Sequence, residues 1–508
     1  MSRVLIVGGG PVGLALAVIL ARYRVPSVVL DAAGSPPPAD QSGAFAWLPP
    51  GLDLLDWLGL SDRFAERGTW RRGHELWAGG RSRLTLPFSR PDTPHAEALD
   101  LPQPEAEAML ERAALDTGLV EIRRGHRPLA LLAWEGEAAL RVRGPAGECE
   151  GGEYEGGEYE IAADYAVACG PEAVPLRSWL GIEADSVDLG ADALVADFET
   201  ARDQPLGLSR AVLDCVRPHG FVPLSPRRLR FLSSVGPGEK VAFSVAPQRA
   251  AVLLRALRPD VAVRGVLWAR TLRQAETHSR AFRKGRWLLA GEAANALDRS
   301  GGAHLQLGLL GAWRLGWRLA LAAEGHPRGS ALLDDYDREQ RAATDRLRRH
   351  GEPDMPDLAL RSRAATALRA ALLGIAGRVP PMARRLARAD AIDAGPLPMA
   401  GSADRPYHGP WRMPGRIGPW RGGARLPAAA FAGVPPGNAE LGLCHLILPV
   451  GHFDPGQEAS LARALRERLP VPVASLDARG DAPWRVRTGP PTLALIRPDR
   501  RVVALYSV

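Results

Sequence analysis

The feature that most constrains this chain is its first 31 residues. Arg3-Val-Leu-Ile-Val7 is a short apolar run rich in β-branched residues, the pattern of a strand buried on both faces. Gly8-Gly-Gly-Pro-Val-Gly13 follows, then a stretch of helical character from Leu14 to Arg24, then a second strand, Ser27-Val-Val-Leu-Asp31. The order is strand, glycine turn, helix, strand, with G-x-G-x-x-G at 8, 10 and 13. Gly8 permits a tight turn, Gly10 lets backbone approach a pyrophosphate, and Gly13 lets helix and strand pack closely. The turn and the helix start around Pro11 and Val12 offer unpaired N–H groups, Pro11 itself having none, and a positive dipole end to phosphates. Asp31 can accept hydrogen bonds from an adenosine ribose. Its charge opposes a 2′-phosphate there, so FAD or NAD fits better than NADP.

The glycine spacing alone says little. Glycine makes up 55 of 508 residues, and at that content the spacing arises by chance on the order of once per chain. The flanking strands and the acid at the proper distance are what make it a dinucleotide site.

The length is that of about three domains. Hydrophobic residues at 46% and charged residues at 24% are ordinary for a globular chain and wrong for a disordered one. Cys149, Cys169, Cys215 and Cys444 lie far apart, which excludes a disulfide scaffold and any zinc-knuckle spacing. Cys444 and His445 have no partner spacing for a metal, and no metal is expected. The net charge is +7, yet only Lys240 and Lys284 are lysines and the arginines are spread along the chain. A modest concentration between Arg361 and Arg388 does not make the single basic stripe of a nucleic-acid binder. Arginine-biased coding in a GC-rich genome is the plainer reading of the balance, with a polyanion site as the alternative, and no nucleic-acid partner is expected.

No stretch reads as a membrane span. The apolar run Val4–Leu20 is broken by its glycines and Pro11, and Leu305–Ala323 is interrupted by Arg314 and Arg318, so it reads as a buried helix. A cytoplasmic protein, monomeric or homodimeric and without a membrane partner, is the expectation.

Further helices are predicted over Gly51–Leu60, Glu105–Leu115, His304–Ala323 and Ala331–Arg349, and over Arg361–Ala389 with a break at Pro380-Pro381. Gly151-Gly-Glu-Tyr-Glu155 is repeated at once as Gly156-Gly-Glu-Tyr-Glu160, an acidic hairpin extension or loop with no assigned function. Ile161–Cys169 has a strand pattern. The stretch 183–275 alternates short apolar runs with Pro and Gly, suggesting an antiparallel sheet. Gly285-Arg-Trp-Leu-Leu-Ala-Gly-Glu292 reads as a buried strand ending in an acid. Trp313 and Trp317, four apart on one helix, read as core packing. Gly395–Ala424 looks like a linker. The tail alternates strand, helix (Gln457–Leu469), strand (Thr492–Ile496), a turn at Pro498-Asp499 and a strand (Arg501–Tyr506).

Together these landmarks resemble the FAD-dependent aromatic hydroxylases, flavoprotein monooxygenases of the p-hydroxybenzoate hydroxylase fold. The subgroup with a C-terminal thioredoxin-like domain, common in polyketide tailoring, is the nearer likeness. Val4–Leu14 is similar to the family's opening, Leu52–Leu60 to its next helix, and Gln103 with Glu107 and Leu110 to the stretch whose glutamine lies along the flavin. Gly285-Arg286 through Gly291-Glu292-Ala293-Ala294 resembles the second FAD signature, Leu332–Glu339 the helix after it, and Ala494–Asp499 the end of the tail, which lacks a redox CxxC. The resemblance implies an α/β fold: an FAD-binding domain over 1–182 (with substrate-domain strands near 70–100) and 276–350, and a substrate-binding β-sheet over 183–275. A helical segment and linker over 351–424 and a thioredoxin-like domain over 425–508 complete it. It implies cofactor contacts from Gly8, Gly10, Pro11, Val12, Gly13, Asp31, Gln103, Gly291, Glu292, Gly301, Gly302, Ala303 and His304.

Departures from the family pattern fall on particular links of the chemistry. Glu292 stands where relatives have aspartate, and Asn295 replaces a histidine. Asp298, Arg299 and Ser300 occupy a proline region. The middle signature, usually Asp-Gly, reads Cys169-Gly170-Pro171, although Arg177 is kept. Gly43 aligns with an arginine. The residues that bind FAD remain, whereas those serving NADH or NADPH are thinned. Three readings therefore stand side by side. One is a monooxygenase that hydroxylates or epoxidises an aromatic or polyketide-type, polycyclic or polyketide-derived small molecule. The second is a redox-neutral cyclase that keeps FAD as a structural part, and the third a non-enzymatic binding protein. His304 is a candidate acid or base, weighed against a helix-start residue hydrogen-bonded to flavin or water.

Overall fold

The computed structural model describes residues 4–35, 46–88, 95–145, 157–213, 217–235, 245–297, 303–350 and 362–379. Beyond these it describes 416–417, 420–421, 445–450, 460, 463, 473–475, 492–497, 499 and 502–507. Val4–Val7 is a strand with all four residues buried, as a central strand of a parallel sheet requires. The sheet runs in the order Arg283–Lys284, Trp287–Leu289, Tyr165–Ala168, Val4–Val7, Ser27–Asp31, Val120–Arg124. Its last five strands are parallel. The chain leaves Val4–Val7 towards one side and later returns to the other, so the strand order reverses beside that first strand. Such a reversal opens a crevice at the carboxyl ends of the strands.

The described helices are α1 (Pro11–Arg22), α2 (Pro49–Leu58), α3 (Ser61–Ala65), α4 (Gln103–Leu115), α5 (Val174–Trp179), α6 (Ala246–Leu257), α7 (Gly291–Ala294), α8 (Ala303–Ala323), α9 (Gly329–His350) and α10 (Arg363–Arg378). α1 begins at Pro11, earlier than the apolar pattern suggests, because proline at the first helical position lacks only an N–H that has no partner inside the helix. It is buried from Pro11 to Ala21 and packs between the sheet and α8. Leu14, Leu16, Ile19 and Leu20 are wholly buried there, each contributing about 1.5–3 kcal/mol.

A second sheet of eight strands carries Val263–Ser279 and Ala184–Thr200 as the second and third strands from one edge and extends to Gly73–Ala78 and Arg81–Pro87 at the other. It is antiparallel except where Leu208–Val212 lies parallel to Gly73–Ala78. One face packs on α6, a helix that the punctuated sequence of 183–275 did not suggest. Its other face, with Val195, Val222, Leu224 and Leu232, meets Leu48 and Leu307.

The stretch Ile161–Cys169 divides between two sheets, as Glu158–Ala163 and Tyr165–Ala168. The second copy of the acidic repeat forms the start of the former, where Glu158 and Glu160 face Arg143 and Arg141 across the ladder. The first copy, most of 380–424, Cys444, most of the predicted 457–469 helix and the turn residue Pro498 lie outside the described residues. In the tail, Val473–Ser475, His445–Val450, Thr492–Ile496 and Val502–Ser507 form a sheet in that order. Only its first pair is parallel.

Trp313 and Trp317 are core residues, as expected, each 1% exposed. Their helix also buries Arg314 and Arg318, and α9 answers both. Arg318 donates to Glu339 (2.7 Å) and Arg314 to Gln340 (2.8 Å). Arg497, at the end of the tail strand Thr492–Ile496, donates to the same Glu339 at 2.5 and 3.1 Å and also pairs with Asp499. The guanidinium groups of Arg318 and Arg497 stack on Trp317. Burial acts to raise the Glu339 carboxyl, but Arg318 and Arg497 outweigh it and hold the group below the usual glutamate range. A folded value below the unfolded one means this contribution is complete above that range and lost as pH falls through it. Glu339→Ala, which removes the carboxylate shared by two buried arginines, is expected to cost about 3–5 kcal/mol. The loss should appear as a lower denaturant midpoint and as earlier proteolytic release of the tail.

Candidate functional site

The ends of Val4–Val7, Ser27–Asp31, Tyr165–Ala168 and Trp287–Leu289 converge on the glycine turn. Gly8 leaves Val4–Val7 with φ +122°, a conformation that side chains disfavour. A methyl group there would also lie 2.2 Å from the nitrogen of Gly170, at the end of Tyr165–Ala168. A methyl on Gly13 would lie 1.9 Å from the Gly8 carbonyl oxygen, so helix and turn touch backbone to backbone. Gly10 is different. Its backbone is extended, and the nearest atom to an added methyl is Glu107 Oε1, 3.8 Å away. Nothing among the described residues demands glycine at 10, and the space above it is the cradle a ligand phosphate needs. No side chain caps α1, so its first N–H groups face that cradle.

Asp31 ends the second strand. Its Oδ1 accepts the Ala33 N–H (2.9 Å) and its Oδ2 accepts from Arg124 (2.6 Å). Register places Arg124 directly beside Asp31 on the neighbouring strand. Arg124 also reaches Glu111 of α4 at 2.5 Å. This guanidinium is thus shared by two carboxylates, which leaves little of its charge for a 2′-phosphate and agrees with an FAD-type ribose. Sequence reasoning missed Arg124 because nothing local announces that Val120–Arg124 pairs with Ser27–Asp31.

Gln103, the first residue of α4, donates to Glu107 Oε1 (2.7 Å), and Glu107 stands over Gly10. On the far side, Glu292 opens α7, and its N–H donates to the Cys169 carbonyl (2.9 Å). A methyl on Gly291 would meet that same carbonyl at 2.6 Å and Val12 at 3.2 Å. Val12 also touches Gly308 of α8, so the start of α8 closes the site. Gln306 reaches the Ala46 carbonyl (3.2 Å), and His304 is half-buried in the first turn. The structure thus brings together Gly8, Gly10, Pro11, Val12, Gly13, Asp31, Gln103, Gly291 and Glu292, with the helix carrying Ala303 and His304 beside them. Gly301 and Gly302, and likewise Gly43, Asp298, Arg299 and Ser300, lie outside the described residues.

Three further groups belong to this neighbourhood. Glu172 follows the Cys169-Gly170 end and acts electrostatically on Cys169 and with Asp31 and Glu292. Burial pushes Glu107 and Glu172 each up to about 7, and the neighbouring carboxylates add to this. Arg177, on α5 against α7, has a buried Nη1 that meets no acceptor among the described residues. Apart from this site, His95 donates to Asp56 (2.7 Å) beside the buried Asp53 of α2, a grouping three donor atoms wide.

A parallel sheet with a glycine turn at its switch point, an acid at the next strand end and an uncapped helix start defines a dinucleotide-binding protein. Residues 1–350 match the FAD binding domain family, and the chain belongs to that family. The chain is similar to the 12-dehydrotetracycline 5-monooxygenase/anhydrotetracycline 6-monooxygenase of Streptomyces rimosus, at 30% identity over 66% of this chain and 66% of that protein. It is likewise similar to the uncharacterized aromatic compound monooxygenase YhjG of Bacillus subtilis, 31% identical over 68% of this chain and 67% of that one. Among solved structures, the OxyS anhydrotetracycline hydroxylase from Streptomyces rimosus superposes with a TM-score of 0.71 at 26% identity. That match covers 100% of this chain and 96% of that one. The protein is a flavoprotein whose cofactor is FAD, as the motifs implied. No described helix is long and apolar enough to cross a membrane.

Two glycines of the turn separate folding from cofactor binding. Gly10→Ala is expected to change apoprotein stability by less than about 0.5 kcal/mol while lowering the FAD content of the purified protein. Gly13→Ala should lower both, and the pair is read by thermal melts of apoprotein beside flavin absorbance of holoprotein.

Proposed function

We propose that this chain is an FAD-dependent monooxygenase that places oxygen on an aromatic or polyketide-type, polycyclic small molecule. The observation that carries this reading is the apolar side of the eight-stranded sheet, packed through Leu307 beside the glycine turn. Val195, Val222, Leu224 and Leu232 cluster there with Leu307, whose neighbour Gly308 touches Val12. An extended planar substrate held against such a face is oriented by shape and kept from water. On the same face the charges are internally paired. Asp197, wholly buried, accepts from Arg230 (2.7 Å), Arg228 (2.7 Å) and the Trp268 indole (3.2 Å). The names of the relatives support the reaction type.

In this reading Gly8, Gly10, Pro11, Val12, Gly13 and Asp31 hold the adenosine and pyrophosphate part of FAD. Gln103, Gly291, Glu292 and the Gly301–His304 segment hold the flavin part. When bound, FAD reduced by NADH or NADPH supplies the oxygen activation. The chain's own residues bind, orient and exclude water. His304, at a helix start, positions rather than transfers a proton. The proposed division into 1–182, 183–275, 276–350, 351–424 and 425–508 accompanies this reading, with the last part thioredoxin-like. The order and directions of the four tail strands support that assignment.

Two measurements check it. Under anaerobic conditions with an aromatic polyketide present, the yellow protein should bleach with NADH or NADPH, and under labelled O2 the product should gain one labelled oxygen. No bleaching with either nucleotide would instead favour the redox-neutral cyclase. His304→Gln should retain turnover within about tenfold, since general acid–base groups contribute about 10²–10⁴-fold when lost.

A further inference from the structure

Gly170 is adjacent to the glycine turn, its backbone lying against Gly8. A side chain at 170 would begin where another group already lies. The position of an added methyl is 2.5 Å from Glu172 Oε2 and 2.7 Å from Glu172 Oε1. The one turn Pro171–Ala173 has folded the Glu172 carboxyl back over Gly170. On the opposite wall the Glu107 carboxyl stands over Gly10, held there by Gln103. Asp31 and Glu292 act on both, so four carboxyl groups ring the turn.

The cations facing this ring are few. Arg124 is shared by Asp31 and Glu111, and Arg127 faces Glu172. Arg177, on α5 against α7, is the third described cation of this neighbourhood. Cys169 has a buried thiol pushed upward by burial, and the His126 backbone N–H donates to the Asp31 carbonyl while its ring bonds the Arg124 carbonyl. The pyrophosphate of FAD brings two negative charges into this ring. Like charges this close disfavour the ionised form of whichever acid is least solvated. Glu107 is buried and Glu172 half-buried, the neighbours of both are mostly acidic, and loss of solvent has already raised both.

We propose that Glu107 and Glu172 are FAD-positioning residues that meet the bound cofactor as neutral carboxylic acids, donating hydrogen bonds to its oxygens, so that FAD loading takes up protons. This rests on FAD binding and not on oxygenation, and it is read without turnover. Full-length holoprotein is equilibrated across a pH series from about 6 to about 8.5, and released FAD is measured by its fluorescence. The dissociation constant is expected to rise at least about tenfold across the upper half of that range. Glu107→Gln and Glu172→Gln, permanently neutral, should each flatten the rise. Gly170→Ala, whose methyl displaces the Glu172 carboxyl, should act like Glu172→Gln. Calorimetric titration of wild-type apoprotein with FAD in two buffers of different ionisation enthalpy reads the proton uptake directly and needs no variant. A dissociation constant independent of pH, no proton uptake, or wild-type slopes in both Gln variants would overturn the proposal.

Discussion

The contact on which the rest depends is backbone against backbone at the glycine turn. Gly8 has no room for a side chain because Gly170 lies against it, and Gly13 has none because the Gly8 carbonyl does. Strand ends from residues 7, 168 and 289 thereby converge within touching distance of one helix start. Open space is left over Gly10 alone of the three motif glycines. A phosphate group is bound where backbone donors are exposed and side chains are excluded, and both conditions follow from that contact.

A second constraint acts at long range. α8 lies beside both the turn and the tail, and it buries two arginines that an isolated helix would keep in water. Glu339 and Gln340 answer them from α9, and Arg497 brings the end of a tail strand into the same network. Such buried charge is weak evidence for net stability but strongly penalises losing a partner. The network therefore fixes how the tail sits on α8 and α9, one helix turn after another from the cofactor site.

Much of the fold was legible locally. The first crossover unit, α2 with its glycine stop, α4, α8 and α9 all stand within a few residues of their expected places, because each has an apolar period and a terminating residue of its own. α6 was not legible, since its proline and two arginines dilute that period and only its packing on Phe198, Phe231 and Ala269 makes it a helix in context. Of the candidate site, the turn and Asp31 were readable from motif and spacing, and Gln103 and Glu292 from the family resemblance. Arg124, Glu111 and Glu172 were not.

The difference has one physical cause. Gly13 must be glycine because of an atom five residues away, and Asp31 follows from a strand that starts at Ser27, so a local code suffices for the dinucleotide crossover and hence for the family. Arg124 reaches Asp31, and Gly170 with Glu172 reaches Gly8, only because parallel strands distant in the chain pair in one register, and parallel pairing leaves no mark on the residues between. The amino-acid order alone therefore determined that a dinucleotide would be held. Tertiary structure alone decided which charges surround it.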